Sequence, residues 1–191
     1  MASKDPPKGW SAKKTSDFQF RSRITVAAIA IYFLVGYNFF PFQLPVMNSI
    51  TERVVFTLRW QLLGGLTLLM GMMGVMAVRG QSDTAADPVK GNAEHLTQLP
   101  QNILQNTLEQ FIFHFVGQIV LCTYLSSESM KAIPLLVVLF VVGRILYKIA
   151  YEMDPMKRLY GFFPTFLPTI ATYAYCLYCL VMLGPGYGFE K

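Results

Sequence analysis

Five long, mostly apolar blocks constrain this chain more than any other feature. They run over Ile24–Phe40, Val54–Val78, Ile103–Tyr124, Ile133–Tyr151 and Phe162–Leu183. Each is near the ~20 residues that a helix needs to cross about 30 Å of hydrocarbon. Inside lipid every backbone N–H and C=O must be satisfied by the protein, so a span is a helix or part of a closed barrel. Barrel strands are shorter and alternate polar with apolar residues, whereas these blocks are continuous. The expected class is an all-α membrane protein. Composition agrees, since 14% of the 191 residues are charged where a soluble domain carries about 25%.

The start, "MASKDPPKGWSAKKTSDFQFRSR", is polar and basic, with no apolar stretch followed by a small-residue cleavage site. No cleaved signal peptide is expected, and the first span reads as an uncleaved anchor. Residues 1–23 are expected to form a flexible cytosolic tail, because Pro, Lys and Ser dominate them. Lys4, Lys8, Lys13, Lys14, Arg21 and Arg23 lie there, and Arg79, Lys90, Lys157 and Arg158 fall on the same side of a five-span chain. Arg53, Lys131 and Lys191 fall on the other. The positive-inside rule then puts the N-terminus in the cytosol and the C-terminus outside. The net charge of +5 reads as this asymmetry. Nucleic acid is not an expected partner, because no basic stripe is interleaved with aromatics.

The remaining segments are connections. "RGQSDTAADPVKGNAEHLTQLP" is a long polar loop that includes His95, "SSESMK" a tight reversal, and "EMDPMKRLYG" a second one with Pro155 closing the fourth helix. The Gly-rich end, residues 184–191, is expected to be loosely packed. Cys122, Cys176 and Cys179 lie inside spans and read as small packing residues, and no metal cluster is expected. Pro164 and Pro168 are expected to bend the last helix, which neighbouring helices can tolerate. The glycines of "LLGGLTLLMGMMG" suit close helix packing.

The chemistry concentrates in two spans. Asn102, Asn106, Glu109 and Phe113 fall within a narrow arc of one helix at about 100° per residue. On the next span Arg144, Tyr147, Lys148 and Tyr151 share a face, Arg59 begins the second span, and Arg158 stands at the mouth. A charge at mid-bilayer costs about 2.5 to 3.5 kcal/mol on insertion scales, so such residues face the protein interior or a wet cavity. An interhelical Glu109–Arg144 ion pair is one expectation. It neutralises one cation only, and a cytosol-facing cavity with positive excess and two phenol hydroxyls suits a small anion. The tyrosines also fit an aromatic belt at the interface. His114 points off the arc and is expected to be a hydrogen-bonded packing residue.

Arg144-x2-Tyr147-x3-Tyr151-x6-Arg158, preceded by Asn106-x2-Glu109 on the previous helix, resembles the membrane-associated proteins in eicosanoid and glutathione metabolism, the MAPEG family. The likeness covers roughly residues 54–183. The extra first span and the wording "LPQNILQNTLEQF", "GRILY" and "GFFPTFLPTIATY" are similar to the five-span mattrin-like branch. The resemblance implies a four-helix transmembrane bundle over 54–183, an extra helix over 24–40, and a homotrimer with sites between subunits open to the cytosol. It implies glutathione contacted by Asn106, Glu109, Arg144, Tyr147 and Tyr151, with Lys148, Asn102 and Arg59 completing the candidate set. Arg158 matches the arginine that steadies the glutathione thiolate in such members.

Two functions follow as expectations. One is a glutathione transferase or peroxidase acting on lipophilic electrophiles that arrive from the membrane lipid. The other is a non-catalytic regulator of endomembrane trafficking, surface receptors or epithelial barriers, as the mattrin likeness implies. The expected location is endoplasmic reticulum, Golgi or lysosome. One departure bears on the choice: family members often carry basic residues just before the Asn-x2-Glu pair, where this chain has neutral Asn102 and Gln105. A transporter is disfavoured, since no paired interrupted helices occur.

Overall fold

The computed structural model describes residues 12–39, 43–81, 94–154 and 157–188. Among these the chain forms five long helices and no strand: α1 Ala12–Asn38, α2 Ile50–Arg79, α3 Glu94–Tyr124, α4 Ala132–Met153 and α5 Leu159–Tyr178. A short 3-10 helix, Ser127–Lys131, links α3 to α4, and a π-helical turn, Cys179–Leu183, continues α5. Four of the segments, those of α1, α2, α4 and α5, are long and apolar enough to cross a membrane. The protein is an integral membrane protein of the all-α bundle class.

Local chemistry sets the ends. Ser49 caps α2, its hydroxyl accepting from Glu52 N at 3.2 Å, while Glu52 Oε2 accepts from Ser49 N at 3.0 Å. This reciprocal box satisfies two backbone donors that would otherwise be orphaned at a helix start. α5 runs through both Pro164 and Pro168. Its Thr169 and Thr172 hydroxyls donate to the carbonyls of Thr165 and Pro168 four residues back, so they are satisfied within the helix.

Helices α2 to α5 form the bundle, with α2 against α3 and α4, and α5 against α4 and α3. Glycines let the helices approach. A Cβ on Gly64 would meet Phe111 at 2.9 Å, and one on Gly71 would meet Leu104 at 2.9 Å, which fixes the antiparallel register of α2 and α3. At the α4–α5 crossing Gly143 and Gly161 face each other, and a Cβ on Gly161 would collide with the Tyr147 backbone. α1 lies outside this bundle on α5 and α4. It is anchored by Tyr32 Oη donating to Leu135 O at 2.9 Å and by Phe18 meeting Phe163 edge-on at 6.2 Å.

The apolar core sits at one end, around Leu121, Cys122, Met130, Ile133, Cys176 and Cys179. All three cysteines are free and buried there. Arg53, in the first turn of α2, is fully buried at this end and donates to the carbonyls of Leu125 and Gly188.

Three expectations are corrected. Residues 12–23 are helical, because α1 extends well beyond its apolar block; residues 1–11 lie outside the described residues. α3 begins at Glu94, so His95 is helical and exposed, while 82–93 lie outside the described residues. The end is docked: Gly188 is buried against Thr123 and Tyr124, and Tyr187 stacks on Tyr124 at 6.3 Å between centroids. Gly188 has φ +96°, open to glycine at no steric cost. Pro155 and residues 189–191 lie outside the described residues.

Candidate functional site

At the end of the bundle remote from Arg53, α3, α4 and α5 converge on Arg144. It is 3% exposed. Its Nη1 donates to Asn106 Oδ1 of α3 at 2.9 Å and its Nη2 to Thr165 Oγ1 of α5 at 2.5 Å. Its guanidinium lies 4.6 Å from the Tyr147 ring centroid. Both polar partners are neutral, so the charge is solvated but not neutralised, and Nε has no partner. The expected Glu109–Arg144 ion pair does not form. Asn106 sits at the inner edge of the α3 arc, while Asn102, Glu109 and Phe113 are exposed on the outside of the bundle.

A ladder continues from Arg144 toward the helix end. Tyr147, buried, meets Tyr151 at 5.6 Å between centroids. The Arg158 guanidinium lies 5.5 Å from the Tyr151 centroid. Tyr151 is half-buried and Arg158 is exposed. The outward Glu109 carboxylate accepts from its own neighbour, Gln105 Nε2, at 3.2 Å.

Lys148, one turn after Arg144, turns with it toward α2 and α3. With Arg144, Thr67, Gly71 and Thr107 it lines a narrow crevice facing α2 and α3. Arg59 is not brought to the cluster. It is exposed on α2, eight residues before Thr67, or roughly 12 Å along the axis.

Thr165 is the site residue that sequence reasoning missed. The pattern Gly161, Thr165, Thr169, Thr172 at helical spacing is the trace it leaves, a small and polar stripe turned toward the bundle. Gln61 and Gln118, buried on α2 and α3 in a polar seam with His114, were also missed. His114 packs as expected, its ring stacked on Phe140 at 4.4 Å, but its Nε2 has no hydrogen-bond partner, nor have the amide atoms of Gln61 and Gln118 Oε1.

Beside Glu109, a lateral hollow of about 420 Å³ opens between α3 and α5, lined by Gln110, Phe113, Phe166, Tyr173 and Leu177 among others. It is apolar and opens on the outside of the bundle. The arrangement offers hydrogen-bond donors and cations at one end, and an oily recess further along α3 and α5 that none of Arg144, Tyr147, Tyr151 and Arg158 lines.

Fold and site together define a helical membrane bundle with a cation–tyrosine ladder at one end. The sequence matches the MAPEG family model over residues 57–178, and the chain belongs to that family. It is similar to transmembrane protein 79 of Mus musculus, 28% identical over 169 residues that cover 86% of this chain and 43% of that protein. Transmembrane protein 79 of Bos taurus is 27% identical over 169 residues, covering 86% and 42%. The chain therefore spans less than half the length of these relatives. No solved structure matches it.

Proposed function

We propose that the protein binds glutathione where neighbouring subunits of a homotrimer meet, and joins its thiol to lipophilic electrophiles. One observation carries the reading: Arg158 and Tyr151 are presented, partly open, at the end of a ladder whose inner members already make the bundle polar. Glutathione carries two carboxylates, an ammonium and a thiol. The Tyr151 hydroxyl suits a carboxylate, and Arg158 suits the thiolate. Glu109, outward and ionisable at membrane depth, suits the ammonium and would otherwise face lipid. The unused Nε of Arg144 is a further donor at the floor.

A guanidinium beside the sulfur favours the thiolate, which is the nucleophile. In conjugation the thiolate attacks an electrophilic carbon, a C–S bond forms and the leaving group departs with its electron pair. The apolar hollow beside Glu109 gives the electrophile a route from the bilayer. The N-terminal end of the bundle faces the cytosol in this reading, consistent with its Lys and Arg, and the membrane is one of the secretory or lysosomal system.

The test is calorimetric titration of glutathione into the purified protein, with chlorodinitrobenzene conjugation alongside. Binding with turnover supports the reading. The absence of both binding and turnover rejects it.

A second reading has its own support. Arg144 has two donors committed to Asn106 and Thr165, and Glu109 is engaged by Gln105. With neutral Asn102 and Gln105, this favours a non-catalytic regulator that has kept the scaffold and contacts a membrane receptor or trafficking protein. Specific co-purification of such a partner, together with absent conjugation, would select it.

A further inference from the structure

α1 lies outside the segment that matches the family, and it creates a feature of its own. Between α1 and the α4–α5 pair runs a groove of about 260 Å³, lined by Ile24, Ala28, Leu139, Val142, Tyr160 and Pro164 among others. Its walls are almost wholly apolar. At its mouth the Arg21 guanidinium lies 5.9 Å from the Tyr160 ring centroid. Tyr160 thus belongs to both parts, lining the groove with its ring and carrying a cation on it. Arg21 stands one turn before the apolar stretch of α1 begins at Ile24, which is headgroup depth for a helix that crosses the bilayer.

The framing segments carry a net positive charge, six cations against three carboxylates. Residues 13–23 and 152–158 hold Lys13, Lys14, Arg21, Arg23, Lys157 and Arg158 against Asp17, Glu152 and Asp154. Arg23 and Arg158 are exposed. Polybasic clusters beside a membrane span attract anionic headgroups, at about 1 kcal/mol per Lys or Arg. An oily slot under a cationic rim is complementary to one kind of molecule.

We propose that this groove holds one anionic glycerophospholipid, its acyl chain along Ala28, Leu139 and Val142 and its phosphate beside Arg21 and Tyr160. The lipid then forms part of the contact between α1 and the bundle. The bundle also holds α1 through the Tyr32–Leu135 bond and through Lys131, whose Nζ lies 3.8 Å from the Tyr37 ring centroid. Arg158 on the rim is shared with the glutathione reading, but the phosphate rests on Arg21 and Tyr160, so the lipid site stands or falls without glutathione.

Native mass spectrometry of the full chain tests this, after delipidation in neutral detergent and titration with phosphatidylserine or phosphatidylcholine. The expected result is one phosphatidylserine retained per chain, preferred over phosphatidylcholine by about fivefold or more. Arg21→Gln lowers that preference toward unity with an unchanged melting temperature. Ala28→Trp, which fills the slot, abolishes retention of both lipids. Equal retention of the two lipids by the unaltered chain overturns the proposal, as does full retention by Ala28→Trp. Displacement by inorganic phosphate as effective as by the lipid shows that the acyl slot is unused and also overturns it. A loss of subunits from the assembly on Ala28→Trp, with no lipid retained by the unaltered chain, assigns the groove to a second copy instead.

Discussion

Arg144 and Asn106 are joined by a 2.9 Å bond from Nη1 to Oδ1, so the innermost cation of the bundle rests on an amide of the neighbouring helix rather than on Glu109. That choice leaves the positive charge intact inside the protein and frees the carboxylate for the outer face. A hydrogen bond to a charged group contributes about 1.5 to 3 kcal/mol. Asn106→Leu should therefore destabilise the bundle by about that amount, read as a lower melting temperature in detergent. An unchanged melt shows that Arg144 has solvation from another source.

Glu109→Gln separates structure from binding. Glu109 is exposed and holds only Gln105. Surface changes of this kind usually stay within about 0.5 kcal/mol, so stability should hold. Calorimetric affinity for glutathione should fall about tenfold or more, since charge-assisted bonds are the strong ones. Undiminished affinity removes Glu109 from the site.

Arg158→Ala should keep most glutathione binding and lose the thiolate, followed by its ultraviolet absorbance across a pH titration. Arg158→Lys should restore part of it, because an ammonium supplies the charge without the planar fork. Equal thiolate formation in all three forms would exclude the assigned role.

Gly161→Ala should be severe. The added methyl has no space against the Tyr147 backbone and the Gly143 carbonyl. Overpacking costs about 1 to 3 kcal/mol and more where backbone must move. Low yield of folded protein, or a melt lowered by that much, is the expected readout, and an unaltered melt would show that α4 and α5 can separate freely.

His114→Phe should be neutral or stabilising. The ring stacks on Phe140 and its Nε2 lacks a partner, so replacement removes an unsatisfied polar atom from a buried site while keeping the stack. Destabilisation beyond about 1 kcal/mol would mean that Nε2 has a partner, such as a buried water reaching Gln61 or Gln118.

The sequence by itself determined the class of fold and the composition of the ladder. Apolar block length sets the number of long helices, because hydrocarbon thickness and backbone hydrogen bonding leave no other solution. Helical spacing alone puts Tyr147 and Tyr151 on one face and Asn102, Asn106 and Glu109 on one arc. What spacing cannot give is the rotation of one helix against the next. That was decided by the close approaches at Gly64, Gly71, Gly143 and Gly161, which turn Asn106 inward, Glu109 outward and Thr165 toward Arg144. A helix fixes angles within itself, whereas which of two neighbours on an arc meets a buried cation depends on side-chain shape across the interface. The same holds for Arg53 and Gly188, a buried arginine and a glycine 135 residues apart, joined through a carbonyl that no local pattern announces.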